Sequence, residues 1–180
     1  LSVAEIDVAH YKTVYTQWCN ARGGIEADLT VTRLDDERFF VVTAAAAQTR
    51  DWAWLRRGCR GHDVAITDVT DRQAMISVMG PRARDVLGPL TDTDLGNDHF
   101  PYGTGRRLAL AGIETLALRM TYVGELGWEL YVPNEAAVAL YDAIIESGEP
   151  HGLSLAGYHA MNTLRLEAGY RHWGHDITDE

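Results

Sequence analysis

The chain has 180 residues, enough for one domain or two small lobes to bury an apolar core without disulfide staples. Its 26 acidic side chains outnumber 16 basic ones, and the formal net charge of -10 repels nucleic acid and anionic lipid. The longest apolar runs, AMISV and VVTAAAA, are far shorter than the roughly 20 residues of a membrane span, and the opening LSVAEIDVAHYK lacks the basic start and cleavage site of a secretory signal.

In chain order, the first strong pattern is a hairpin: TVYTQWC (13–19), a turn through Asn20 to Gly24, then IEADLTVTRL (25–34). Matching apolar with apolar sets Val14 opposite Leu29, Thr16 opposite Ala27 and Trp18 opposite Ile25. On the other face Thr13 meets Thr30, Tyr15 meets Asp28 and Gln17 meets Glu26. A third strand, RFFVVTA (38–44), leads into a helix through Trp52, Trp54 and Leu55 that stops at Gly58. DVAITDVT and QAMISVMG read as two strands joined across Asp71, and GPRARDVLGPL as a helix opened by Pro81 and closed at Gly88.

The polar stretch 91–105 reads as an internal boundary and mobile loop, dividing a first lobe (1–90) from a second (106–180). RRLALAG and IETLALRMTYV form a second hairpin, and GWELYVP a further strand. Helices NEAAVALYDAIIESG, with Asn134 as N-cap, and AGYHAMNTLRLEAG follow, separated by a loop around His151. Hairpins with helices inserted between them predict an α+β fold of antiparallel sheets, each carrying its helices on one face. No glycine-rich nucleotide loop occurs. The polar ending HWGHDITDE reads as the edge of a fragment of a longer region.

Three constellations carry chemistry. Asp28 sits mid-strand, where aspartate is disfavoured, downstream of Gly23 and Gly24, which permit close backbone approach; a solvated strand edge is the bland alternative. In MTYVGELGWELYVP (120–133), Gly124 and Gly127 bracket a turn, so Tyr122 ends one strand, Glu125 stands exposed at the turn and Glu129 begins the next strand. Glu129 alternates away from Trp128 and Leu130 and is able to accept two parallel N–H bonds, the alternative being a solvated glutamate. His172, His175 and Asp176 form a weak metal pattern without cysteine, with His159 upstream, and no metal is expected. The two cysteines, Cys19 and Cys59, lack metal spacing and fit a reducing interior, so a cytoplasmic location is expected, or the mitochondrial matrix in a eukaryote.

With those stretches in hand, the chain resembles the folate-binding aminomethyltransferase family. That family comprises the T-protein of the glycine cleavage system and the C-terminal portions of dimethylglycine and sarcosine dehydrogenases. The likeness rests on VYTQWCNARGGIEADLTVTRL, AMISVMGPRARDVL, TYVGELGWELYVP and TLRLEAGYRHWGHDITDE, in the family's order. GGIEADLTVTRL and the tryptophan of HWGHD lean toward the dehydrogenase branch, as does Met161 where T-proteins carry an arginine; Ala27 replaces the first aspartate of the T-protein's paired acids.

The resemblance implies a T-protein-like folate-binding fold, here truncated at both ends. It implies tetrahydrofolate-dependent transfer of a methylene or aminomethyl group. Asp28 would be the catalytic residue near N10 of the folate, orienting that amine and assisting its proton loss, with Tyr15, Tyr122, Glu129 and Trp173 binding folate, Glu129 at the pterin's N–H groups; Arg165 and Glu167 are assigned to structural pairing first. FAD is expected only on a flavin domain outside this chain, fused or associated. The rival readings are a T-protein-like aminomethyltransferase or other folate-dependent demethylase, and a folate-binding module without catalysis.

Overall fold

The computed structural model describes residues 2–178, which divide into two compact units: residues 2–69 with 172–178, and residues 70–171. Segment 91–105 lies inside the second unit, where Leu95 and Phe100 are buried.

In the first unit, β1 (Thr13–Cys19), β2 (Ile25–Arg33) and β3 (Phe39–Thr43) form an antiparallel sheet in that order. The hairpin turn is built by Asn20. Its Oδ1 accepts the backbone N–H groups of Arg22 (2.9 Å) and Gly24 (3.1 Å), and Gly23 takes the left-handed conformation at φ 84° that the reversal requires.

The observed register differs from the expected one by two residues. Tyr15 lies opposite Thr30, Gln17 opposite Asp28 and Trp18 opposite Ala27, with an irregularity between Trp18 and Cys19. Side chains alternate with a period of two, so a two-residue offset leaves every residue on its expected face. Polarity matching therefore cannot choose between the two registers. The bulge and the Asn20 turn choose, and the buried hydroxyls of Thr13 and Thr32, 2.8 Å apart, pair at the far end of the ladder.

After β3, a short 3-10 turn (Ala45–Ala47) enters α1 (Gln48–Gly58), which ends where the sequence places its stop. Trp54 and Leu55 of α1 pack with Val41 against Trp18, Ala27, Leu29 and Val31. The expected strand DVAITDVT does not form: residues 64–69 have no regular structure, and Thr70–Arg72 make a single 3-10 turn. Its apolar alternation finds neither a ladder partner among the described strands nor a face to bury, and Val64 is exposed.

The second unit holds β4 (Gln73–Met79), α2 (Ala83–Leu87), β5 (Gly105–Leu110), β6 (Ile113–Leu118), β7 (Gly127–Pro133), α3 (Ala137–Gly148) and α4 (Tyr158–Glu167). Its four strands are antiparallel in the order β4-β7-β6-β5. Alternation along β7 decides the architecture. Trp128, Leu130 and Val132 are fully buried in one cluster with Ala83, Val86 and Leu87 of α2 and Leu140 and Ile144 of α3, so both helices cover the same sheet face. Each such side chain contributes about 1.5–3 kcal/mol by leaving water.

Asn134, expected as N-cap, begins a 3-10 turn (Asn134–Ala136) ahead of α3 and donates its side-chain amide to the carbonyl of Asp71 at 2.8 Å instead. Arg165 of α4 is fully buried, with guanidinium bonds to Oδ1 of Asn162 (3.0 and 2.6 Å) and to the carbonyl of Tyr170 (3.0 Å). Arg165 thus has the structural pairing expected of it, while Glu167 is exposed.

Candidate functional site

Within the first unit, Asp28 lies mid-strand on β2 and its Oδ1 accepts the Gln17 amide at 3.0 Å. Glu26, its companion on the same strand face, is tied to the turn by the Asn20 amide at 2.8 Å. Asp28 lines a pocket of about 40 Å³ with Ala44, Ala47, Arg50, Asp51, His172 and Trp173. That volume admits a group of roughly one water molecule's size.

Arg50 organises the pocket. Its guanidinium lies 4.2 Å from the centre of the Trp173 ring, within cation–π range, and bonds to the carbonyl of Glu26 and to Oδ1 of Asp51 at 3.3 Å. The Asp51 carboxyl is buried, and burial pushes its pKa up despite the opposing charge of Arg50 and the Thr43 hydroxyl. Of the expected site residues, Asp28 and Trp173 meet at this pocket. Tyr15 does not line it and is more than half exposed, diagonal to Asp28 across the ladder through its place opposite Thr30. His172 stacks on His175 with ring centres 5.7 Å apart, and Asp176 caps the His172 N–H at 2.8 Å. Among the described residues no three His, Cys, Asp or Glu side chains are grouped to hold a metal ion.

Within the second unit, Glu129 sits on β7 between Ser77 of β4 and Leu118 of β6, on the sheet face opposite Trp128 and Leu130. Burial pushes its carboxyl pKa up, and a 2.8 Å bond donated by the Tyr131 hydroxyl to Oε2 pulls in the other direction. The Tyr131 phenol is in turn driven up, first by burial and then by the Glu129 charge. The Tyr102 phenol is raised by burial, then by Tyr170 and Glu129, which places these groups in one electrostatic neighbourhood. Tyr122 stacks on Tyr170 with ring centres 6.3 Å apart. Tyr122 occupies a bend rather than the expected strand end, because β6 stops at Leu118, while Glu125 is exposed as expected.

Tyr102, Tyr131 and Tyr170 were not legible as site residues. Only the strand parity that puts Tyr131 on the Glu129 face offered a signal.

The whole chain, residues 1–180, matches the model of the GCVT N-terminal domain. The chain belongs to this family. The GCVT domain is 45% identical over 176 residues to 4-methylaminobutanoate oxidase (formaldehyde-forming) of Paenarthrobacter nicotinovorans, covering 98% of the chain and 21% of that protein. It is 40% identical over 155 residues to human mitochondrial dimethylglycine dehydrogenase, covering 85% of the chain and 18% of that enzyme. An aminomethyltransferase of Thermoanaerobacter sp. (strain X514) is 38% identical over 169 residues, which are 94% of the chain and 46% of the enzyme. The crystal structure of the glycine cleavage system aminomethyltransferase T from Bartonella henselae superposes with a TM-score of 0.80 at 28% identity, over 97% of this chain and 45% of that one.

The GCVT domain thus has the aminomethyltransferase fold expected from its sequence, and it spans about a fifth of its oxidase and dehydrogenase relatives and under half of the aminomethyltransferases. No helix of the described residues is long and apolar enough to cross a membrane.

Proposed function

We propose that this domain transfers a one-carbon unit from an N-methyl amino acid donor, already oxidised to its iminium, to tetrahydrofolate. The carrying observation is Asp28: a mid-strand carboxylate, oriented by Gln17, in a pocket with room for a one-carbon fragment and walled by Trp173. Similarity to an N-methyl amino acid oxidase and to dimethylglycine dehydrogenase supports the donor class.

In this reading N10 of tetrahydrofolate attacks the iminium carbon, and the C=N electrons move to the donor nitrogen. Asp28 accepts the N10 proton and returns it to the departing amine, and the N5 proton passes to the freed amine as N5 closes the 5,10-methylene bridge. Glu129 fits the pterin end: it is a partly buried carboxylate whose Oε1 takes no hydrogen bond from the described residues, suited to N–H donors of the ring. Tyr15, Tyr122 and Trp173 are proposed to bind folate through their rings. FAD on a separate flavin domain of the full-length protein would supply the prior two-electron oxidation of the donor. The compartment is proposed to be the cytoplasm, or the mitochondrial matrix in a eukaryote.

Trapping the product decides between this reading and a non-catalytic folate module. Full-length protein with donor and tetrahydrofolate is expected to yield 5,10-methylenetetrahydrofolate, and the Asp28→Asn variant to release the carbon as formaldehyde. Equal methylene-folate yield from both proteins would remove Asp28 from the mechanism.

A further inference from the structure

Glu129 is a partly buried carboxylate with two unlike oxygens. Oε2 accepts the Tyr131 hydroxyl at 2.8 Å, and Oε1 receives no hydrogen bond from the described residues. The two residues stand two apart on β7 and project from the same sheet face, so the bond spans a fixed backbone separation. Their strand is held on both sides, by β4 through Ser77 and Met75 and by β6 through Leu118 and Leu116. The opposite face of β7 is locked by fully buried Trp128, Leu130 and Val132. Neither side chain has a flexible support.

We propose that Tyr131 is a positioning residue for folate: it holds Oε2 so that the Glu129 carboxylate keeps one orientation and presents Oε1 to the N–H groups of the pterin. This rests on the reading of Glu129 as the pterin acceptor.

A carboxylate free to rotate loses orientational entropy on binding, and one anchored at a single oxygen has already lost it. The same bond also favours the charged form, which is the form that accepts N–H donors, against the opposing effect of burial. The titratable groups coupled to Glu129 are Tyr131 on its own strand and Tyr102 from a neighbouring loop, both phenols whose pKa is pushed further up. Folate affinity is therefore expected to rise with pH as Glu129 ionises, a component that Glu129→Gln removes.

The test is tetrahydrofolate binding by the full-length protein, followed calorimetrically from pH 5 to pH 8 for wild type, Tyr131→Phe and Glu129→Gln. Tyr131→Phe is expected to weaken binding about tenfold at pH 7 and to move the pH midpoint upward, since the bond that favoured the carboxylate is gone. A purely structural role for Tyr131 would weaken binding equally at every pH. Replacing Tyr131 by 3-fluorotyrosine preserves the fold and strengthens the donor, and is expected to move the midpoint downward. If neither substitution moves the midpoint while Glu129→Gln still abolishes its pH dependence, Tyr131 has no positioning role and the Glu129 reading survives. If Glu129→Gln leaves affinity and pH dependence unchanged, the underlying reading fails instead.

Discussion

The two units each hold a carboxylate in a strand, and they treat it in opposite ways. Asp28 is supported by a neutral amide from Gln17 beside an arginine stacked on tryptophan, in a cavity no larger than a small fragment. Glu129 is partly buried among tyrosines, and burial works against its charge. In the proposed reading, two acids of nearly equal intrinsic strength thereby take different tasks, proton transfer at one and recognition of N–H donors at the other. The division follows from surroundings, since strand position alone would make them equivalent.

The largest expected effect tests the first half of that contrast. Asp28→Asn should lower folate-dependent turnover by about 10²- to 10⁴-fold while thermal melting stays near wild type, as measured by steady-state product formation and calorimetry. Glu129→Gln should instead act on binding, raising the dissociation constant for tetrahydrofolate about tenfold to a hundredfold. An outcome in which Asp28→Asn changed only affinity and Glu129→Gln only turnover would exchange the two roles.

Stability sharpens the comparison further. Because burial raises the Glu129 pKa, the folded chain holds this proton more tightly than the unfolded chain. Its contribution to stability is present below the ordinary value near 4.5 and is lost as pH rises through the folded value. Glu129→Gln should accordingly be more stable than wild type at pH 7, with the difference shrinking toward pH 4 in denaturant titrations. Asp51 obeys the same sign from its ordinary value of 3.8. Asp51→Asn should flatten the pH profile less, because Arg50 already offsets part of the penalty. The smallest effect belongs to the turn: Gly23→Ala, at φ 84°, should destabilise by about 1 kcal/mol and leave the second unit's pH response untouched.

The strands and their faces were legible because alternation is a local property. Trp18, Ala27, Leu29 and Val31 fall on the buried face in either register, and the core face of β7 follows from Trp128, Leu130 and Val132. Register was not legible, because pairing polar with polar has the same period as the pleat; the offset that puts Gln17 rather than Tyr15 opposite Asp28 is set by the turn and bulge. DVAITDVT misled for a related reason. Alternation states which residues would share a face, and says nothing of whether a neighbouring strand is there to receive them. Asp28 stood out by its mid-strand position and Trp173 by the family likeness, and the two meet in the structure, whereas no pattern in the sequence singled out Arg50 or Asp51.

The wall that Trp173 and His172 give to the Asp28 pocket also dictates an order of events during synthesis. The strand bearing the acid is translated before the second unit, and its tryptophan cover follows only after that unit. The Asp28 pocket is therefore closed only after residues 70–171 have been translated, when Trp173 arrives to stack on an Arg50 guanidinium already bonded to Glu26 and Asp51. A nascent chain released before Trp173 would carry the acid without its tryptophan wall.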